Sequence, residues 1–190
     1  MLHRNNIIAL FFAFILQGCA WFGFIDSNDY QTVASQGFEL QKMARMGPAE
    51  ERYKKALRLA EASGDSRTIA HARYNLGLLY RHPRAYDAKK SVHYLEKSLR
   101  FYANDNAASI TTDMYIALTE VYGKEGNNKL ACNNLKKAQQ TYIQKIVSNS
   151  DYAPQGAGYK NFLNPVRRDH PFKKFDELVD YYNQQLACGL

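Results

Sequence analysis

The sequence predicts an all-α protein of about three helix pairs, with one more helix capping its C-terminal end. Three observations predict it. Apolar residues recur at helical spacing along most of the chain, a small–bulky–small triplet returns three times, and glycine, proline and capping residues punctuate the intervals between periodic segments. A chain of 190 residues suffices for one domain with its own core.

The triplets are Ala49-Tyr53-Ala56, Ser91-Leu95-Ser98 and Ala131-Leu135-Ala138, returning at intervals of 42 and then 40 residues. Spacing of four then three places each triplet on a single helical face. The small members let two helix axes approach, and the bulky member fills the gap beside them. A different pattern precedes the last two triplets. Leu76, Gly77 and Tyr80 in "YNLGLLY" correspond to Leu118, Thr119 and Tyr122 in "YIALTEVY", each at an offset of 42. Two helix types therefore alternate, one pair per period. A single pair cannot cover its own apolar face, so the pairs must stack.

The elements follow in order. A first helix is expected from about Asp29 to Met46, stopped by Gly47-Pro48, where proline suits the first turn of the next helix. The second runs to Ser63, with Gly64 as its C-terminal cap and Asp65 or Ser66 capping the third. Further helices are expected over 67–81, 86–103, 109–124 and 128–147, with His82-Pro83 in the turn after the third. Residues 148–170 carry glycine, proline and polar side chains and read as a loop. In 171–190, Phe172, Phe175, Leu178, Val179 and Tyr182 share one face, and Pro171 follows a candidate cap in Asp169. Such a helix would either seal the exposed end of the stack or dock a partner.

The pattern over about residues 30–145 resembles the tetratricopeptide repeat (TPR) family, which runs from Leu-Gly and Tyr in a first helix to Ala, a bulky residue and Ala in the second. Tyr115, Leu118, Tyr122, Gly126, Ala131, Leu135 and Ala138 match in the third copy, with Thr119 where the family has glycine. Leu76, Gly77, Tyr80, Ser91, Leu95 and Ser98 match in the second, and the first copy is clear only in its second helix. The periods exceed the usual ~34, as in kinesin-light-chain-type repeats. The resemblance implies a TPR-like α-solenoid over 29–147 whose first helices line a concave groove. Carried over residue by residue, the groove would hold His71, Tyr74, Leu78 and Arg81, then Asp113, Ile116, Glu120 and Lys124. That mixture suits an extended peptide or a partner helix. It lacks the Lys/Asn arrangement that clamps a terminal carboxylate in chaperone-binding relatives.

The amino terminus reads as an export signal. "IIALFFAFIL" is ten apolar residues long, too short to span a bilayer as a helix and suited to a signal-peptide core. It ends in Leu16-Gln17-Gly18-Cys19, which resembles the lipobox of bacterial lipoprotein precursors, although Gln17 departs from the usual small or aliphatic residue. The resemblance implies a signal peptide over 1–18, a covalent lipid on Cys19 and a short tether over 19–28. Ala20, where Asp would signal inner-membrane retention, implies the outer membrane, facing the periplasm. An uncleaved anchor, or ordinary secretion with a chance cysteine, is the alternative. An oxidising compartment permits a Cys132–Cys188 disulfide; either residue would equally serve as a small buried apolar side chain.

Formal charge is +7, from 25 Lys+Arg against 18 Asp+Glu, which raises anionic partners. Lys55, Lys97 and Lys137 occupy one repeat position, and Arg58 and Arg100 recur three residues further on. In a stack they align as a basic ridge on the convex side. Anionic envelope glycan or lipid headgroups could bind there, and a solvated face that confers solubility is the plainer reading. Nucleic acid fits poorly with an exported, tethered chain. No zinc motif, nucleophile elbow or phosphate loop is present, and the five histidines are scattered. The expectation is therefore a non-catalytic, membrane-anchored scaffold without metal or cofactor, holding envelope proteins or peptide segments in pilus, secretion or envelope assembly.

Overall fold

The structure, a computed structural model, describes residues 27–104, 107–143 and 175–190. The expected signal segment, Cys19, most of the tether and the 148–170 loop lie outside the described residues, as do Pro171 and Phe172. The described residues form seven α-helices: α1 Tyr30–Lys42, α2 Met46–Ser63, α3 Ser66–Arg81, α4 Ala88–Tyr102, α5 Ala108–Lys124, α6 Asn128–Tyr142 and α7 Phe175–Leu186. A short 3-10 turn, Pro83–Ala85, joins α3 to α4, and no strand occurs among the described residues. The helices pack in adjacent pairs, α1 with α2, α3 with α4 and α5 with α6, and α7 lies on α6.

Local chemistry starts and stops these helices. Asp29, Asp65 and Asp87 accept backbone N–H bonds from Thr32, Thr68 and Lys90 at 2.7, 2.9 and 3.0 Å, and Asn127 accepts one from Leu130 at 3.2 Å. Each such cap satisfies a donor that the first turn leaves unpaired, worth ~1 kcal/mol. The break after the first helix corrects the sequence reading. It falls at Met43–Arg45, ahead of Gly47-Pro48, which sits inside the first turn of α2. Ala44 takes a left-handed φ of 58° there, with Ala44 N–H bonded to Gln41 O and Arg45 N–H to Leu40 O, both at 2.9 Å. This is a Schellman closure, which normally recruits glycine. An alanine in that place gives no signal in the sequence. The same closure ends α5 at Gly126, where glycine does announce it.

The three triplets bury as their spacing requires. Ala49, Tyr53, Ala56, Ser91, Leu95, Ser98, Ala131, Leu135 and Ala138 are all buried. Opposite each bulky member stands a residue of the preceding helix. A Cβ added at Gly77 would lie 2.6 Å from Leu95 Cγ, and one at Gly37 would lie 2.8 Å from two ring carbons of Tyr53. Gln36-Gly37-Leu40 is thus the first pair's counterpart of Leu76-Gly77-Tyr80, hidden from pattern reading because glutamine stands where leucine recurs. The threonine at 119 has its own logic. In the second pair Ser91 Oγ donates to Gly77 O at 2.8 Å; in the third, Thr119 Oγ1 donates to Tyr115 O at 2.9 Å and lies 3.4 Å from Ala131 O. The hydroxyl has moved from the second helix to the first, and alanine now stands where the serine was.

Between pairs, Leu40 and Tyr53 pack in one cluster with Leu76, Leu79 and Tyr80, and Tyr74, Leu78 and Tyr102 in another with Met114, Ala117 and Leu118. The last cluster joins Ile116, Leu135 and Ala138 to Phe175, Leu178 and Val179 of α7. The C-terminal helix thus packs on the third pair through this cluster. Tyr142 stacks on Phe175 at 4.1 Å between ring centroids. Cys132 and Cys188 form a disulfide, settling the alternative left open above. A third Schellman closure at Ala187, with φ 54° and Cys188 N–H bonded to Asn183 O at 3.0 Å, turns Cys188 back towards α6.

Candidate functional site

Of the eight groove residues expected from the sequence, Tyr74, Leu78, Arg81, Asp113 and Glu120 meet in a seam between α3 and α5. Tyr74, Leu78, Asp113 and Ile116 are buried. The Tyr74 hydroxyl donates to Asp113 Oδ2, and Arg81 pairs with Glu120 with both side chains largely covered. Only His71 and Lys124 of the eight are exposed. The correction has a physical cause. Tyr74 and Leu78 fill the gap where the second and third pairs close on one another, and Ile116 packs with Leu135 and Phe175 of α6 and α7, so these side chains are already committed to packing inside this chain.

His71 presents its outer atoms to solvent while its ring shares a 2.9 Å hydrogen bond with the Tyr30 hydroxyl and stacks 6.2 Å from Tyr74. Burial of the imidazole lowers its pKa below the usual value. Lys124 Nζ sits 3.4 Å from the centroid of Tyr86, a cation–π contact, and the Tyr86 hydroxyl donates to Glu125 at 2.9 Å. Both exposed groove residues are therefore braced by neighbouring aromatics.

Tyrosine–carboxylate bonds are the feature that sequence reading missed. Besides Tyr74–Asp113 and Tyr86–Glu125, Tyr80 donates to Glu50 at 2.6 Å and Tyr122 to Glu96 at 3.1 Å. Burial first, then the neighbouring carboxylate, pushes the phenols of Tyr86 and Tyr122 up to about 12 and that of Tyr80 up as well. Burial would raise the Glu50 carboxyl, but bonds from Lys54 and Tyr80 outweigh it and hold it below its usual value. A signal was available: Tyr74–Asp113, Arg81–Glu120 and Tyr86–Glu125 each span 39 residues. For the first two, that is one helical turn short of the 42-residue period. A residue of the second copy thus reaches the position one turn before its own counterpart in the third.

The basic residues lie on α2, α4 and α6. Arg58, Lys97, Arg100 and Lys137 are exposed and Lys55 is partly covered. Lys137 Nζ stands 5.8 Å from the centroid of the Tyr115 ring. Lys97 and Arg100 share an open cleft with Arg73 and Phe101. Among the described residues no group of His, Cys, Asp and Glu could hold a metal ion, and no helix is long and apolar enough to cross a membrane.

These features define an all-helical protein of adjacent helix pairs with a disulfide-fastened C-terminal helix. Compared with protein-family models, with curated proteins and with solved structures, the chain matches none.

Proposed function

We propose that this chain is a TPR-like solenoid that acts as a non-catalytic scaffold, lipid-anchored through Cys19 to a bacterial membrane and holding partner proteins during envelope assembly. The observation that carries the reading is the seam repeated in three consecutive pairs. Gly37 lies against Tyr53 and Gly77 against Leu95, and Gly77 meets Ser91 as Thr119 meets Ala131, the counterpart of that serine. Repeated pairs that bury one another use most of their chemistry to build an extended surface. The Tyr74–Asp113, Tyr80–Glu50 and Tyr122–Glu96 bonds run between successive pairs, and of the eight residues expected in the groove only His71 and Lys124 stay exposed.

Two measurements test it. Cells given a palmitate analogue should label the wild-type chain and leave Cys19→Ala unlabelled; equal labelling of both would refute the anchor. A photo-crosslinker at Lys124 should capture a defined envelope protein that one at Arg58, on a second helix, does not. Equal capture from both positions, or none from either, would refute the scaffold. Tyr74→Ala and Leu78→Ala are unsuitable, because each would open a void in the seam.

A further inference from the structure

One part of the surface carries more than general basic charge. Between the first half of α3 and the last turns of α4 lies an open cleft of about 410 Å3, lined by Ser66, Ile69, Arg73, Lys97, Arg100 and Phe101 together with Ala70. No carboxylate lines it. Lys97 and Arg100 make no ion pair among the described residues. Arg73 meets Glu61 only at 3.4 Å, with both side chains partly in solvent. Of the acids that flank lining residues in the chain, Asp65 is occupied as the α3 cap, accepting from the backbone N–H and the hydroxyl of Thr68, and Glu96, beside Lys97, accepts from the Tyr122 hydroxyl at 3.1 Å. Three cations gathered in a concavity, offset within the chain by the 3.4 Å contact of Arg73 with Glu61, focus positive potential there, and a bound anion relieves it.

The cleft is more than an anion patch. Ile69 and Ala70 give it an apolar wall, and Phe101 is half-buried at its edge, held edge-to-face by Tyr102 at 5.2 Å between centroids. A small inorganic ion would leave that surface unused. A pyranose ring would not, since the C–H face of a sugar packs on an aromatic or aliphatic side chain while its charged substituent reaches the cations. The volume falls within the range of small-molecule clefts, about 300–1,000 Å3. We propose that this cleft binds an acidic saccharide unit, its anionic substituent on Lys97, Arg100 and Arg73 and its ring against Ile69 and Phe101. The site is independent of the scaffold reading, because it needs no partner protein. It also divides the basic ridge: Lys97 and Arg100 belong to the site, whereas Lys55, Arg58 and Lys137 do not line it.

The test uses the full-length chain in non-ionic micelles, with amide NMR shifts followed during titration. Glucuronate supplies ring and charge, glucose the ring alone, and inorganic phosphate the charge alone. Glucuronate should bind with a Kd of about 1 mM and shift Ile69, Arg73 and Phe101, and glucose should bind at least about tenfold more weakly. The exposed double substitution Lys97→Glu/Arg100→Glu should weaken glucuronate by about tenfold or more, and Lys137→Glu should leave it unchanged. The proposal is overturned if no glucuronate binds, if phosphate binds as tightly, or if Lys137→Glu costs as much as the double substitution. It is equally overturned if phosphatidylglycerol vesicles bind through Lys97 and Arg100 while glucuronate does not.

Discussion

Gly77→Ala is the sharpest test of how closely α3 and α4 approach. The added Cβ would lie 2.6 Å from Leu95 Cγ, 2.8 Å from its Cδ2 and 3.1 Å from its backbone nitrogen. Carbon atoms rest at about 3.5–4.0 Å, so the contact must open by roughly 1 Å. Leu95 can change rotamer, but its backbone nitrogen cannot, and the residue is fully buried. Overpacking of this kind costs about 1–3 kcal/mol, offset by ~0.8–1.0 kcal/mol of better helix propensity for alanine. The net expectation is a loss of about 1 kcal/mol, or some 2–4 °C in Tm for a chain of this size. Gly123→Ala supplies the control. There the nearest atom is Leu186 Cδ2 at 2.9 Å, the far end of a flexible side chain, and the next nearest lie at 3.8 and 3.9 Å. That substitution should be neutral or stabilising by up to about 1 kcal/mol. Urea unfolding followed by circular dichroism measures both. Equal effects at the two positions, or a Gly77→Ala chain no less stable than wild type, would refute the close-approach argument.

Replacing both cysteines, Cys132→Ser with Cys188→Ser, frees a loop that the bridge closes across a separation of 56 residues. Loop entropy gives an upper bound of about 4 kcal/mol for the loss, readable as the gap between oxidised and reduced unfolding curves. Ala44→Gly and Ala187→Gly remove the left-handed penalty of about 1–2 kcal/mol at two closures, and each should raise stability by roughly 0.5–1 kcal/mol in the same assay. At alkaline pH the phenols of Tyr86 and Tyr122, raised to about 12, hold protons that the unfolded chain sheds near pH 10. Their contribution is complete below about pH 10 and is lost as pH climbs through about 12, so stability should fall over that window. Tyr86→Phe and Tyr122→Phe should flatten the fall, as seen in unfolding curves collected at successive pH values; an unchanged slope would contradict it.

The helices and their pairing were legible because period and spacing carry directly into burial. Ala49, Ser91 and Ala131 stand at matching places and all reach the core. What escaped notice follows from the same physics. Gln36-Gly37-Leu40 was hidden because only the glycine had to be kept for Tyr53 to approach. The Met43–Arg45 break was hidden because hydrogen bonding to Gln41 and Leu40 holds an alanine in a glycine conformation. The groove was misjudged for another reason. Family positions say which helical face a residue occupies, not how tightly the next pair closes over it. Tyr74 and Asp113 are buried by that closure, and a residue list alone does not reveal it. The cleft at Arg73, Lys97, Arg100 and Phe101 was half visible, since its two lysine- and arginine-bearing positions recur, while Arg73 and Phe101 join from outside the recurring set.

The bridge between Cys132 and Cys188 also sets how this chain bears load. Drawn apart from residues 30 and 190, it would pass tension from α6 straight through the sulfurs, and everything between them would hang slack. At about 3.4 Å per extended residue, the 56-residue separation hides roughly 190 Å of length that a pulling force cannot release while the bridge is intact. Added reductant would return that length in a single step, making thiol exchange visible as distance.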